Sequence, residues 1–187
     1  MAKFTPETKE ELEVLVKNEV IHLGDIDTSK ITDMSCLFSW TTRKDFSGIE
    51  KWNTSNVKNM AYMFAACENF NQDISSWDVS KVENMAYMFA GCENFNQDLS
   101  SWNTSKVKSM AYMFARCHSF NQDISDWDVR NVEDMYSMFH CCSTFNQPLN
   151  GWDISNVKNI EGMFENCPID NSNKPSQEQS SVKRQRL

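Results

Sequence analysis

Glycine and proline are scarce, at five and four residues in a chain of 187. That scarcity excludes a collagen-like, linker-like or low-complexity chain. Positive charge is short as well: 18 Lys and Arg stand against 26 Asp and Glu, for a formal charge of −8. A surface of that sign repels phosphate, which argues against nucleic acid or an anionic membrane as partner. No apolar run approaches the ~20 residues of a membrane-spanning helix, and mean hydropathy is −0.57, so no membrane insertion is expected. The opening Met-Ala-Lys-Phe-Thr-Pro-Glu has no apolar stretch of the secretory kind, and no export signal is expected on this chain. Histidine is limited to His22, His118 and His140, and no Gly-rich phosphate loop, HExxH or EF-hand spacing occurs. Neither catalysis nor a cofactor is expected.

What is plentiful is unusual: 6 Trp, 12 Phe, 11 Met and 7 Cys. Usage so skewed points to a short unit copied several times. The period is 25 residues, carried by Trp52, Trp77, Trp102, Trp127 and Trp152. Val57 to Val157, Met63 to Met163, Phe64 to Phe164 and Cys67 to Cys167 keep the same step. Phe70, Phe95, Phe120 and Phe145 each open an F-N-Q triplet. A degenerate earlier copy begins at Ile26 and is offset by a small insertion around residues 41–45.

A unit this short cannot bury its own apolar face, so the copies must stack. Trp77-Asp78-Val79 alternates apolar and polar, and its third position is β-branched in every copy, which predicts a short half-buried strand. Val82, Met85, Met88 and Phe89 then step by helical spacing, which predicts about two helical turns. The expected fold is an α/β repeat solenoid of leucine-rich-repeat type, with short parallel strands about 4.8 Å apart alternating with short helical segments. Residues 26–167 form about six repeats. Residues 1–25 are expected to cap the first repeat with a helix that starts at Thr5-Pro6-Glu7 or at the capping box Thr8-Lys9-Glu10-Glu11, followed by a short strand Val20-Ile21-His22-Leu23. Residues 168–187 are polar and are expected to be a disordered tail.

The Trp, Met and Phe columns read as core. The Asn of F-N-Q (Asn71, Asn96, Asn121, Asn146) is expected to hydrogen-bond the backbone of adjacent turns. The Cys column also reads as core, because no CxxC pair or Cys/His ligand spacing accompanies it and no metal is expected. Two polar columns remain. Asp27, Asn53, Asp78, Asn103, Asp128 and Asp153 form an outward ladder, the candidate binding face for a basic partner or a divalent cation. Lys58, Glu83, Lys108, Glu133 and Lys158 alternate in sign, placing opposite charges on neighbouring repeats and marking a duplicated two-unit block.

The run V-x-x-M-x-x-M-F-x-x-C-x-x-F, continued by F-N-Q-x-[IL]-S-x-W-[DN]-[VT]-S, resembles the BspA-like leucine-rich-repeat family, in its 25/26-residue branch of bacterial surface proteins and lipoproteins. The resemblance covers about residues 26–167, and the N-terminal K-F-T-P-E-T-K-E-E-L looks like that branch's leading cap. It implies a non-catalytic repeat protein that binds other proteins, at a bacterial surface or secreted, with adhesion as one role. The alternatives are an intracellular scaffold or structural repeat protein with no external ligand, and a metal- or redox-active thiol protein.

Overall fold

The structure is a computed structural model that describes residues 3–176. It contains one α-helix, α1 (Lys9–Lys17), and three short 3-10 turns at Leu23–Asp25, Ile49–Lys51 and Asn171–Asn173. The repeats stack in register as six rungs, joined by isolated parallel bridges that run Asp33, Asn59, Asn84, Ser109, Asp134, Asn159. No rung contains an α-helix or a strand among the described residues. The expected α/β solenoid of alternating strands and helices is therefore overturned, and each rung is a chain of tight turns.

The hydrogen bonds of Met85 to Cys92 explain the difference. Met88, Ala90 and Cys92 donate their N–H groups three residues back, to Met85, Tyr87 and Phe89. Met85, Tyr87, Phe89 and Gly91 instead donate across to Ser109, Ala111, Met113 and Ala115 of the next rung, at 2.7–3.0 Å. An α-helix would bond its amides beyond the first turn four residues back within the segment, not alternately to the next rung. The alternation needs a reversal of backbone hand twice per rung. Cys36, Tyr62, Tyr87, Tyr112, Ser137 and Gly162 form one column of positive φ, and Trp40, Ala66, Gly91, Arg116, Cys141 and Asn166 form the other. Each non-glycine residue there costs about 1–2 kcal/mol, which the inter-rung bonds offset.

The expected strand at Trp77-Asp78-Val79 is displaced by a turn as well. Asp78 Oδ1 accepts from the N–H of Ser80, and Val82 N–H closes onto the carbonyl of Val79. Residues 20–23 form no strand either: Val20 is 93% exposed and the chain coils into the 3-10 turn at Leu23.

Inside the stack, two files of Phe run along the rungs. Within a rung Phe64 and Phe70 lie 3.9 Å apart between ring centres, and Phe89 and Phe95 4.3 Å. Between rungs Phe89 meets Phe114 at 5.7 Å, nearly parallel. Such stacks add to area burial. Every polar atom these columns bring inside has a task. The indole N–H of Trp77 donates to the carbonyl of Ile49, that of Trp102 to Ile74 and that of Trp127 to Leu99. The thiols of Cys92, Cys117 and Cys142 donate to Phe64, Phe89 and Phe114. Asn71 accepts from the N–H of Asn96 and from the side chain of Gln97, and the pattern repeats at Asn96 and Asn121.

Both ends are closed by distinct devices. Thr8 caps α1 by accepting from the N–H of Glu11, while the Glu11 carboxylate reaches back to the N–H of Glu7. Leu12 and Val16 turn their side chains into the stack. Arg43, in the insertion, is buried and ties the helix end down: its guanidinium donates to the carbonyls of Val16, Asn18, Ile21 and Asp45. At the far end, residues 168–176 continue the fold instead of leaving it. Ile169 is buried, Asp170 N–H and the Asn173 amide complete the ladder on Asn146, and Leu149 N–H donates to Asn173. The rest of the expected tail, from 177 onward, lies outside the described residues.

Replacing Arg43 with Met keeps the length of the side chain but leaves those carbonyls without their donor. We expect a loss of about 3 kcal/mol in urea unfolding. A change under about 1 kcal/mol would contradict the clamp.

Candidate functional site

The structure brings the expected ladder of Asp27, Asn53, Asp78, Asn103, Asp128 and Asp153 into one column, at a turn. Each side-chain Oδ1 accepts from the backbone N–H two residues on: Ser29, Ser55, Ser80, Ser105, Arg130 and Ser155. These are Asx turns, in which the side chain mimics a backbone carbonyl. A second set does the same at Asp73, Asp98 and Asp123, and a third at Asp33, Asn59, Asn84 and Asp134. The corners of the rungs are thus built from short polar side chains, and one oxygen of each is already committed to the fold.

The neighbouring columns also have partners. Thr54 and Thr104 donate their hydroxyls to the carbonyls of Asp78 and Asp128 on the next rung. In the alternating charge column, Lys108 pairs with Glu83 at 2.7 Å and Lys158 with Glu133. Burial pushes the thiol of Cys67 up to about 12, so the column sulfurs are neutral donors. No group of three or more His, Cys, Asp or Glu among the described residues is placed to hold a metal ion.

One surface joins rungs and also opens a concave face to solvent. On rungs 2 to 4 the left-handed position carries Tyr62, Tyr87 and Tyr112, whose rings stand out from the stack and lie face to face at 4.3 and 4.4 Å. Tyr136 closes the row edge-on, 5.1 Å from Tyr112. Beside this wall the backbone carries only small side chains, Ala65, Ala66, Ala90, Gly91 and Ala115. Wall and floor enclose a groove of about 450 Å³ that runs along the stack. Trp40, 81% exposed, stands at one end, with Arg116 and His140 at the other. Burial, reinforced by the flanking Tyr62 and Tyr112, pushes the Tyr87 phenol up to about 12, so it remains a hydrogen-bond donor.

The two ends arise where the repeat changes. Rungs 2 to 4 read M-A-Y-M-F-A-[AGR]-C, whereas rung 1 puts Trp40 at the last variable position. Rung 5 reads M-Y-S-M-F-H-C-C, replacing a floor alanine with His140. His140 Nε2 lies 3.2 Å from Cys141 Sγ, and its buried Nδ1, 3.4 Å from a Glu165 oxygen, lacks hydrogen-bond geometry. The Arg116 guanidinium makes no hydrogen bond or ion pair with any described residue. Sequence reasoning did not find this groove, because Ala86 and Tyr87 fall between the apolar steps of a supposed helix. The available signal was an exposed-type aromatic column that stops where the floor residues change.

The Asx turns carry a pH consequence. Asp73 and Asp123 are held below the usual carboxylate value by the N–H groups of Ser75 and Ser125, Asp78 by Ser80, and Asp128 by the Arg130 side chain. A depressed folded value stabilises the fold above the unfolded value, near pH ~4, and that contribution disappears as pH falls through the folded value. The urea midpoint should therefore be flat from pH ~7 to ~5 and fall below ~4. Asp73→Asn with Asp78→Asn should flatten the fall, because Asn53 and Asn103 make the same turn without ionising. An unchanged acid limb in that variant would contradict the assignment.

Of the comparisons with known proteins, one gives a match. Two overlapping stretches, residues 10–114 and 79–179, match a single family model, and together they span most of the chain. No curated protein and no solved structure matches it. The chain belongs to the family described as Mycoplasma protein of unknown function, DUF285.

Proposed function

We propose that this chain is a non-catalytic protein-recognition module, and that its contact surface is the tyrosine-walled groove across rungs 2 to 4. The groove carries the proposal because it is a preformed, largely apolar concave surface that runs along the stack with a wall of exposed aromatic rings. Tyrosine supplies contact area with a polar tip at small entropic cost, which suits recognition of polypeptide. The floor of alanine and glycine offers no reacting group. The Asx ladder, by contrast, is accounted for by its turns. A net charge of −8 favours a polypeptide over nucleic acid as partner. Presentation at a bacterial surface, which the BspA-like resemblance implies, belongs to the same proposal.

The test is selection of binders from a random peptide display library on the native protein. Bound peptides should lose at least tenfold in affinity on Ala90→Trp, which fills the groove at a position where rung 5 already accommodates His140. They should keep it on the paired Asp78→Lys and Asp128→Lys variant of the Asx ladder. Loss on the Lys pair with retention on Ala90→Trp would move the site to the ladder. A library yielding no binder would overturn the proposal.

A further inference from the structure

The shape and charge of the groove narrow what it takes, on the premise that it is the recognition surface. Three rung steps separate Trp40 from Arg116. At about 4.8 Å per step this is ~14 Å, the span of about four residues of extended chain. The walls offer such a chain few backbone donors, because the amides of Tyr62, Ala66, Tyr87 and Gly91 are already spent on the next rung. Recognition then rests mainly on side chains: apolar contact with the alanine floor, hydrogen bonds to the tyrosine hydroxyls, and the chemistry of the ends.

The two ends differ in chemistry. Trp40 is apolar. At the other end the cation is Arg116, exposed and without a partner among the described residues, on a protein that is otherwise strongly acidic. His140 does not share that role, since Glu165 stands 3.4 Å from its Nδ1. Glu93, on the rung before Arg116, faces His118 at 4.0 Å. Beyond Arg116 the floor rises: His140 replaces the alanine, and Tyr136 lies against Tyr112. A chain running along the floor meets bulk there and has to stop.

We infer that the groove binds the free C-terminal end of a partner polypeptide, about four extended and mainly apolar residues, with its terminal carboxylate seated on Arg116. Guanidinium and carboxylate form a charge-assisted, geometrically matched pair. The closed end explains why a terminal carboxylate fits better there than an acidic side chain in mid-chain. Trp40, at the open entrance, covers the residue where the partner enters.

The decisive experiment uses tetrapeptides from the library selection, synthesised with a free C-terminal carboxylate and as the C-terminal amide. Titration of each against the native protein and Arg116→Ala completes a double-mutant cycle. The substitution is safe for the fold because Ala66 and Gly91 occupy the equivalent positions of the preceding rungs. The amide should bind the native protein at least tenfold more weakly than the acid, and the two should bind Arg116→Ala alike. Equal binding of acid and amide to the native protein overturns this inference, while the groove proposal survives if Ala90→Trp still abolishes binding. Peptides indifferent to Ala90→Trp overturn both. If the acid is preferred on the native protein and on Arg116→Ala alike, Arg116 is not the anchor and the inference falls.

Discussion

The amide that reaches across to the next rung is the interaction on which the rest of this structure depends. Four such bonds per step join the turn segments of rungs 2 and 3 through Met60, Tyr62, Phe64 and Ala66. They exist because every second amide is released from local bonding, and that release requires two residues of left-handed backbone in each rung. Ten of those twelve positions are not glycine. A single such turn would be strained and unstable. Repeated in register, it is held by neighbours on both sides, so stability belongs to the stack and not to the unit.

The polar inventory follows from that geometry. A chain of tight turns leaves carbonyls and amides pointing inward and at its corners, and each needs a partner. Indole N–H groups, thiols and threonine hydroxyls supply the inward donors, while Asp and Asn side chains close the corners. This accounts for the odd composition: Trp and Cys are chosen for a donor as well as for apolar bulk, and glycine is rare because the stack imposes the backbone hand. Arg43 does at the N-terminal joint what the Asn ladder does along the side. Its buried charge is tolerated because four carbonyls surround it.

Much of this was legible in the sequence. The 25-residue columns name the core, and the F-N-Q asparagines do bridge adjacent rungs. Thr8 caps α1, and the Lys–Glu alternation does pair neighbouring copies. The local backbone was not legible. Apolar steps of three, three and one suit a helix and a stack of turns equally well, and Met, Ala and Phe favour the helix by propensity. What decides the matter is hydrogen bonding to a rung 25 residues away, which no local pattern contains. The left-handed positions are hidden for the same reason, since Tyr87 and Arg116 bear no mark of positive φ. With the helix went the site: the tyrosines read as flanking residues, and the Asx column, conspicuous by its charge, drew the functional assignment instead.

The same bonding pattern ends abruptly. On rung 6 the amides of Ile160, Gly162, Phe164 and Asn166, which on every earlier rung would reach forward, find no acceptor among the described residues. Residue-resolved amide hydrogen exchange by NMR therefore tests the central claim directly. The account predicts strong protection at Met85, Tyr87, Phe89 and Gly91 and at their equivalents on rungs 2, 4 and 5, with rapid exchange at the four rung-6 positions. Equal protection on rungs 3 and 6 would contradict it, because only bonds within a rung could then be protecting these amides.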